Sequence, residues 1–446
     1  MVYERINKGL DIIRGKCEND EYRANITKFT RNRKLTQKDF VWYLTMQKGR
    51  TTSMELDSYL KEKNGDYEIG ITKQAFSKQR QYLKPEIFMD LYKEYLQMFY
   101  QDSPEEVKRY KGYMILAVDG SMFEIPNTKE LIEEYKYVGK SRKKIKDRLT
   151  ARARVSAIYD VENGFMINAL IKDCGKSEKK LCYENIDNAE EIVDLKNSII
   201  IFDRGYPSMG LVLYLEAKGA KYICRLKSPS YEREKRGMKT NDEWVEIKLD
   251  KDKKRSIKNE ELLKKAEEIK TLKARMSRIE LDTGEIEYLL SNVGKEIIAE
   301  EEMKEAYYKR WQVEIGYDIL KNKLHVENFT GRTKVTIEQD FYAQIYTYNL
   351  LQDIKNDANI KLQEENKEKE LKYEYKPNIN ILAGYLKNIL IAIMFTKRDE
   401  EKERLYRLIV ERAKKNLVAI KPNRKFERRE YIGRRNKYRT NLRPNM

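Results

Sequence analysis

The chain has 446 residues, with 91 Lys and Arg against 73 Asp and Glu, a net charge of +18. That length exceeds one simple core and predicts two or three domains, while the basic excess predicts a polyanionic partner, nucleic acid before anionic membrane. One histidine and four scattered cysteines exclude a multi-histidine metal site, a histidine-pair mechanism, a zinc ribbon and a disulfide framework. No apolar run approaches the ~20 residues of a membrane span, and the opening residues lack the apolar core of a secretory signal. A reduced, cytoplasmic protein is expected, in which catalysis must rest on carboxylates with metal, or on lysine and tyrosine.

Residues 1 to 108 read as helical. Within them Thr72 can cap a helix start, and that helix would present Lys73, Gln74, Ser77, Lys78 and Arg80 outward. These types hydrogen-bond phosphates and base edges; an ordinary polar helix face is the alternative. The run from Tyr113 to Val118 is continuously apolar and ends in Asp119, Gly120 and Ser121. It predicts a buried central strand with an acid at its end. Strands follow over 153–159 and 165–171, joined through Asn163-Gly164, a hairpin signal. After a helix over 176–195, residues 198–202 repeat the first pattern: an apolar strand, then Asp203, Arg204 and Gly205. A helix over 208–217 and a strand over 222–226 come next. Residues 244–249, 275–281 and 285–292 alternate like strands, with a charged helix or loop between the first two. Further helices are predicted over 341–354, 379–395 and 400–418, with a solvated helix or loop over 357–375. From Lys421 the chain is basic with interleaved aromatics, suited to track phosphates as an arm or to serve as a solubilising tail.

Residues 307–321 concentrate the chemistry. They contain no proline and have helical periodicity, so at ~100° per residue Tyr307, Arg310, Glu314 and Lys321 fall on one stripe. Tyr308, Ile315 and Ile319 lie on a flank that can pack on a core. Alone, such a stripe fits a solvated face laced with salt bridges. Its order, Tyr-x2-Arg-x3-Glu-x6-Lys, occurs together with two aspartates at the ends of apolar strands. This combination resembles the signature of the DDE transposases of bacterial insertion sequences, in the large "insertion sequence four" branch.

The resemblance implies an α/β fold: a ribonuclease-H-like catalytic core with a β-rich insertion, plus helical N-terminal and C-terminal regions. Its divisions would be a DNA-binding domain over 1–108, a catalytic domain over 109–334 interrupted at about 227–292, a helical region over 335–420 and a tail over 421–446. It also implies the catalytic set Asp119, Asp203 and Glu314. Two Mg²⁺ ions, with Mn²⁺ able to substitute, would be bridged by Asp119, with Asp203 completing one site and Glu314 the other. Such a pair, roughly 4 Å apart, clamps the attacking and leaving oxygens of a phosphodiester displacement, and Mg²⁺ prefers carboxylate, phosphate and water oxygens. Tyr307, Arg310 and Lys321 would hold transposon-end phosphates. Arg204 would contact DNA or form a salt bridge. In relatives an aromatic from the insertion stacks on a flipped base; Tyr288 occupies the matching place, where relatives carry tryptophan, and Trp244 is the other candidate. A core role is open to both. The expected function is metal-dependent cut-and-paste excision and strand transfer on double-stranded DNA, both element ends and target. A dimer is expected in the DNA complex, in the bacterial cytoplasm at the nucleoid and without membrane attachment. Alternatives are a nuclease or resolvase without strand transfer, and a non-catalytic transposase-derived DNA-binding protein.

Overall fold

The structure, a computed structural model, describes residues 2–31, 33–65, 70–136, 151–281 and 283–421. Apart from Lys421, the predicted basic tail lies outside the described residues. The chain opens with helices α1 (Val2–Glu18), α2 (Gln37–Thr45), α3 (Thr52–Asn64), α4 (Lys73–Arg80) and α5 (Glu86–Tyr100). Thr36 and Asp39 cap α2 reciprocally, and the Thr72 hydroxyl accepts from the Ala75 N–H at the start of α4. Both devices satisfy N–H groups that a helix cannot pair internally.

Strand β1 (Met114–Glu124) is followed by α6 (Lys129–Tyr135), β2 (Arg152–Asp160), β3 (Met166–Asp173), α7 (Glu178–Glu190), β4 (Ser198–Phe202), α8 (Met209–Ala217) and β5 (Lys221–Arg225). The first three strands pair antiparallel, whereas β1, β4 and β5 run parallel. Parallel strands need cover on both faces, which accounts for the uncharged runs 114–118 and 198–202. One difference from expectation is that β1 does not stop at Asp119. Its pairing with β4 ends at Val118 opposite Phe202, but its pairing with β2 continues to Glu124 opposite Arg152.

Next come α9 (Glu232–Gly237), β6 (Asp242–Lys248), α10 (Lys251–Lys254), α11 (Glu260–Ile269), β7 (Thr271–Glu280) and β8 (Ile286–Ser291). These strands form no sheet of their own. β8 pairs antiparallel with β5, extending one sheet in the order β3-β2-β1-β4-β5-β8-β7-β6. Arg275 anchors the extension: fully buried, it bonds both Asp242 carboxylate oxygens at 2.8 and 2.9 Å and donates to the Val293 and Ile298 carbonyls. A buried charge is tolerated when its donors are filled in this way. The result is an α/β domain with a mixed sheet flanked by helices, consistent with a ribonuclease-H-like fold.

The chain closes with α12 (Met303–Tyr308), α13 (Gln312–Asp318), α14 (Lys334–Asn366), β9 (Glu374–Pro377), α15 (Ile379–Phe395), α16 (Asp399–Lys415) and β10 (Leu417–Ile420). On one sheet face Ile115, Ile199, Ile201, Ile223 and Leu289 pack under Met303, Ala306 and Tyr307. The other face joins the large core shared with α5, α7 and α14. At ~1.5 Å per residue, the 33-residue α14 is about 50 Å long. It reaches well beyond the predicted 341–354, and its buried Asp353 accepts from Arg5 at 2.8 Å and from the Tyr95 hydroxyl at 2.5 Å. Among the described residues no helix is long and apolar enough to cross a membrane.

Helix α8 touches the inserted segment through Gly210, where a Cβ would stand 2.5 Å from the Ser256 carbonyl oxygen. Gly210→Ala must therefore push α8 and the segment after α10 apart. The expected cost is about 1–3 kcal/mol, read as a lower urea midpoint.

Candidate active site

The β1–β4 register decides where two of the predicted acids go. Val118 lies opposite Phe202, so Asp119 and Asp203 are the next residues on neighbouring strands, whose backbones run ~4.8 Å apart. The Gly120 N–H donates to Asp119 Oδ1 at 2.9 Å, and the Tyr317 hydroxyl donates to the Asp119 carbonyl at 2.9 Å. That second bond ties α13 to β1 and brings up Glu314.

Arg310 sits between the acids. It is 5% exposed, with Nη2 3.1 Å from Glu314 Oε1 and Nη1 3.7 Å from Asp119 Oδ2. Burial opposes its charge, but Tyr307, Asp119, Asp203 and Glu314 together raise its pKa. Asp119 is pushed up to about 6 by burial, aided by the negative charges of Glu314 and Asp203 and opposed by the Gly120 N–H and Arg310. All three acids thus act electrostatically on one spot.

Residues 307–321 do not form the single regular helix expected. A 3₁₀ turn occupies Lys309–Trp311 and a π turn Ile319–Lys323, either side of α13. The change of pitch turns Lys321 inward. It is half-buried, its ammonium donates to the Met122 carbonyl at 2.8 Å and lies 4.6 Å from the Phe123 ring centre, and burial lowers its pKa. The expected exposed lysine two turns along from Glu314 is therefore corrected to a lysine bound to β1. Tyr307 is also buried, and burial raises its phenol pKa. Its hydroxyl and Arg310 Nε have no hydrogen-bond partner among the described residues.

Arg80 is a second correction. Rather than facing out with Lys73 and Lys78, it is 1% exposed and bonds Gln339, Thr330, Asp340 and the Thr336 carbonyl. The buried Asp340 carboxylate draws the guanidinium inward, while Lys73 and Lys78 remain exposed. Arg204 is exposed beside Asp203. With Arg225, Lys235 and Tyr288 it lines a depression of about 410 Å³, in which the Lys235 ammonium lies 5.0 Å from the Tyr288 ring centre. Trp244 lies elsewhere, 40% exposed on β6. Sequence reasoning missed Arg225, which pairs with Glu287 at 2.6 Å and acts on the Tyr307 phenol. It ends the third parallel strand next to Asp203, a position that could have singled it out.

No group of three or more His, Cys, Asp or Glu side chains among the described residues is arranged to hold a metal ion. Arg310 lies between Asp119 and Glu314. The donor chemistry nevertheless fits a hard divalent cation: oxygen ligands only, with like charges that already hinder ionisation of Asp119.

The core is α/β, with Asp119 inside central strand β1, Asp203 just past central strand β4 and Glu314 on α13, as in a ribonuclease-H-like DDE fold, and residues 110–350, more than half of the chain, match the transposase DDE domain. The chain belongs to that family. The match is to the DDE domain at large rather than to one branch of it. Among solved structures, the chain is similar to the cryo-EM piggyBac transposase synaptic complex with hairpin DNA, at 10% identity and a TM-score of 0.37, over 92% of this chain and 78% of that one. No curated protein matches.

Two outcomes are expected. Because burial holds the Asp119 carboxyl above the ordinary aspartate range, at about 6, the fold loses stability as pH rises from that range through about 6. Without divalent cations, Asp119→Asn should stabilise the fold at neutral pH by ~1–3 kcal/mol, read as a higher urea midpoint. The gain should vanish at acid pH, where the aspartate is protonated. Arg80→Ala should cost about 3–5 kcal/mol in the same assay, since it withdraws the charged partner of a buried carboxylate.

Proposed function

We propose that this chain is a DNA transposase of the "insertion sequence four" branch, which binds the terminal inverted repeats of its element and carries out cut-and-paste excision and strand transfer. The observation that supports the reading is Arg310 beside both Asp119 and Glu314, with Asp203 acting on its charge, over the central strands β1 and β4 of a chain with net charge +18. Two Mg²⁺ ions, held by those three carboxylates, would activate the attacking water or hydroxyl and stabilise the leaving oxygen.

The chain's own residues supply position. Arg310 offsets the crowded acids and, turned from them, offers its guanidinium fork to a phosphate. Its Nε and the Tyr307 hydroxyl are buried donors without partners, and leaving such groups unfilled costs about 1–3 kcal/mol each. Phosphate oxygens of a bound strand would fill them. Arg204 and Arg225 lie beside Asp203 and would steer the strand past it, with Tyr288 beneath a base. Lys321, tied to β1, would reach phosphate after release from Met122. The helical region over 1–108 would hold the element end further out through Lys73 and Lys78, the catalytic domain would span 109–334, and two copies would act together on DNA in the cytoplasm.

The test is a supercoiled plasmid carrying the DNA that flanks the gene, incubated with the protein and Mg²⁺. Nicked, excised and joined products are expected. Asp119→Asn should abolish all three and leave retention of the flanking DNA intact. Equal cutting by the variant would sink the site assignment; nicks without joined products would reduce the activity to that of a nuclease.

A further inference from the structure

Helices from both ends of the chain meet around a depression of about 630 Å³. Its lining carries five cations: Arg14 of α1, Lys38 of α2, Lys63 of α3, Lys397 in the link from α15 to α16, and Lys402 of α16. Asp39 is the acid among the lining residues, and its carboxylate is already filled. It accepts from the Thr36 N–H at 2.6 Å, the Thr36 hydroxyl at 2.7 Å, the Tyr59 hydroxyl at 2.9 Å and the Lys63 ammonium at 2.8 Å. Arg14 pairs with Asp11 and Lys402 with Asp399. Lys38 and Lys397 form no salt bridge with a described residue.

A concave wall lined by one sign of charge focuses its field and raises the local concentration of counter-ions. Lys402 fixes part of that charge in place: it is 5% exposed and donates to Asn7 of α1 at 3.1 Å and to Asp399 at 2.7 Å. Trp42 decides what kind of anion fits. It is 3% exposed, with the Lys38 ammonium 5.0 Å from its ring centre and Phe395 meeting it edge-on at 5.4 Å, so no ring face is left on which a base could stack. Its indole N–H, which can only donate, has no partner among the described residues. The lining offers charge and donors without an aromatic platform, a combination that suits phosphate oxygens and cannot read a base. The volume lies within the range of ligand sites, ~300–1,000 Å³.

We infer that this depression is a phosphate site shared by the two ends of the chain, binding consecutive phosphate groups through Lys38, Lys397 and Lys402. A free polyphosphate and a nucleic-acid backbone present the same oxygens to it, and competition between them identifies the source. Helices α1 and α2 precede the matched DDE segment and α15 and α16 follow it, so an occupied site clamps the flanks of that segment together. The inference stands apart from the transposase reading and uses none of the catalytic acids.

The test uses the full chain at fixed ionic strength without divalent cations, with pyrophosphate as the probe. Pyrophosphate should raise the thermal midpoint above that in matched chloride, as any ligand of the folded state does. The double variant K38Q/K397Q removes two charge-assisted contacts and should weaken pyrophosphate at least about tenfold, whereas K38R/K397R should keep most of the affinity. Tryptophan emission should change during the titration, and Trp42→Phe should lose that change. A short random-sequence duplex that displaces pyrophosphate, with a salt slope about two counterions lower in K38Q/K397Q, makes the source a nucleic-acid backbone. A duplex that leaves pyrophosphate binding unaltered makes it a free polyphosphate. A midpoint no higher in pyrophosphate than in chloride overturns the site. So does a rise that persists in K38Q/K397Q, because the anion is then held elsewhere. The plasmid assay above is unaffected by either failure, so the transposase reading stands or falls separately.

Discussion

The candidate site depends on the parallel register of β1 with β4. Both strands are covered on both faces, so a slip of one residue would send every side chain to the wrong side. With Val118 fixed opposite Phe202, the next residues on the two strands are both acids. The same register places Ile115, Ile199 and Ile201 where Met303, Ala306 and Tyr307 pack, and that packing sets the level at which Arg310 and Glu314 arrive. Apolar pairing buried in the central strands thus determines the polar geometry that follows it.

Crowding carboxylates beside central strands is unfavourable for the fold taken alone. Arg310 relieves part of the repulsion, at 3.1 Å from Glu314 and 3.7 Å from Asp119, yet Asp119 remains harder to ionise than an exposed aspartate. Groups held against their preferred charge state concentrate where a protein performs chemistry. The Tyr307 hydroxyl and Arg310 Nε, without a hydrogen-bond partner among the described residues, lie beside the same acids.

Much of this was legible in the sequence because hydrophobic pattern controls strand order. Continuous apolar runs revealed β1 and β4, and Asn163-Gly164 the β2–β3 hairpin. Alternation revealed β6, β7 and β8, although no local pattern said that they would extend the main sheet. That outcome depends on β8 meeting β5 and on Arg275 finding Asp242, both long-range events. The inward turns of Arg80 and Lys321 were illegible for a related reason. Spacing assigns a side chain to a helix face, but a buried Asp340 or a change of helical pitch decides which way that face points.

Helix α14 connects the parts. The family match ends at residue 350, inside this helix, where Leu350 and Leu351 are both buried. Beyond that point the same helix carries Asp353, which grips Arg5 of α1 and Tyr95 of α5. The matched segment is therefore not a cassette that recombination could move intact between genes. A lineage exchanging its N-terminal helices for others would have to bring an arginine and a tyrosine that fit the old aspartate, so those helices and α14 are bound to evolve together.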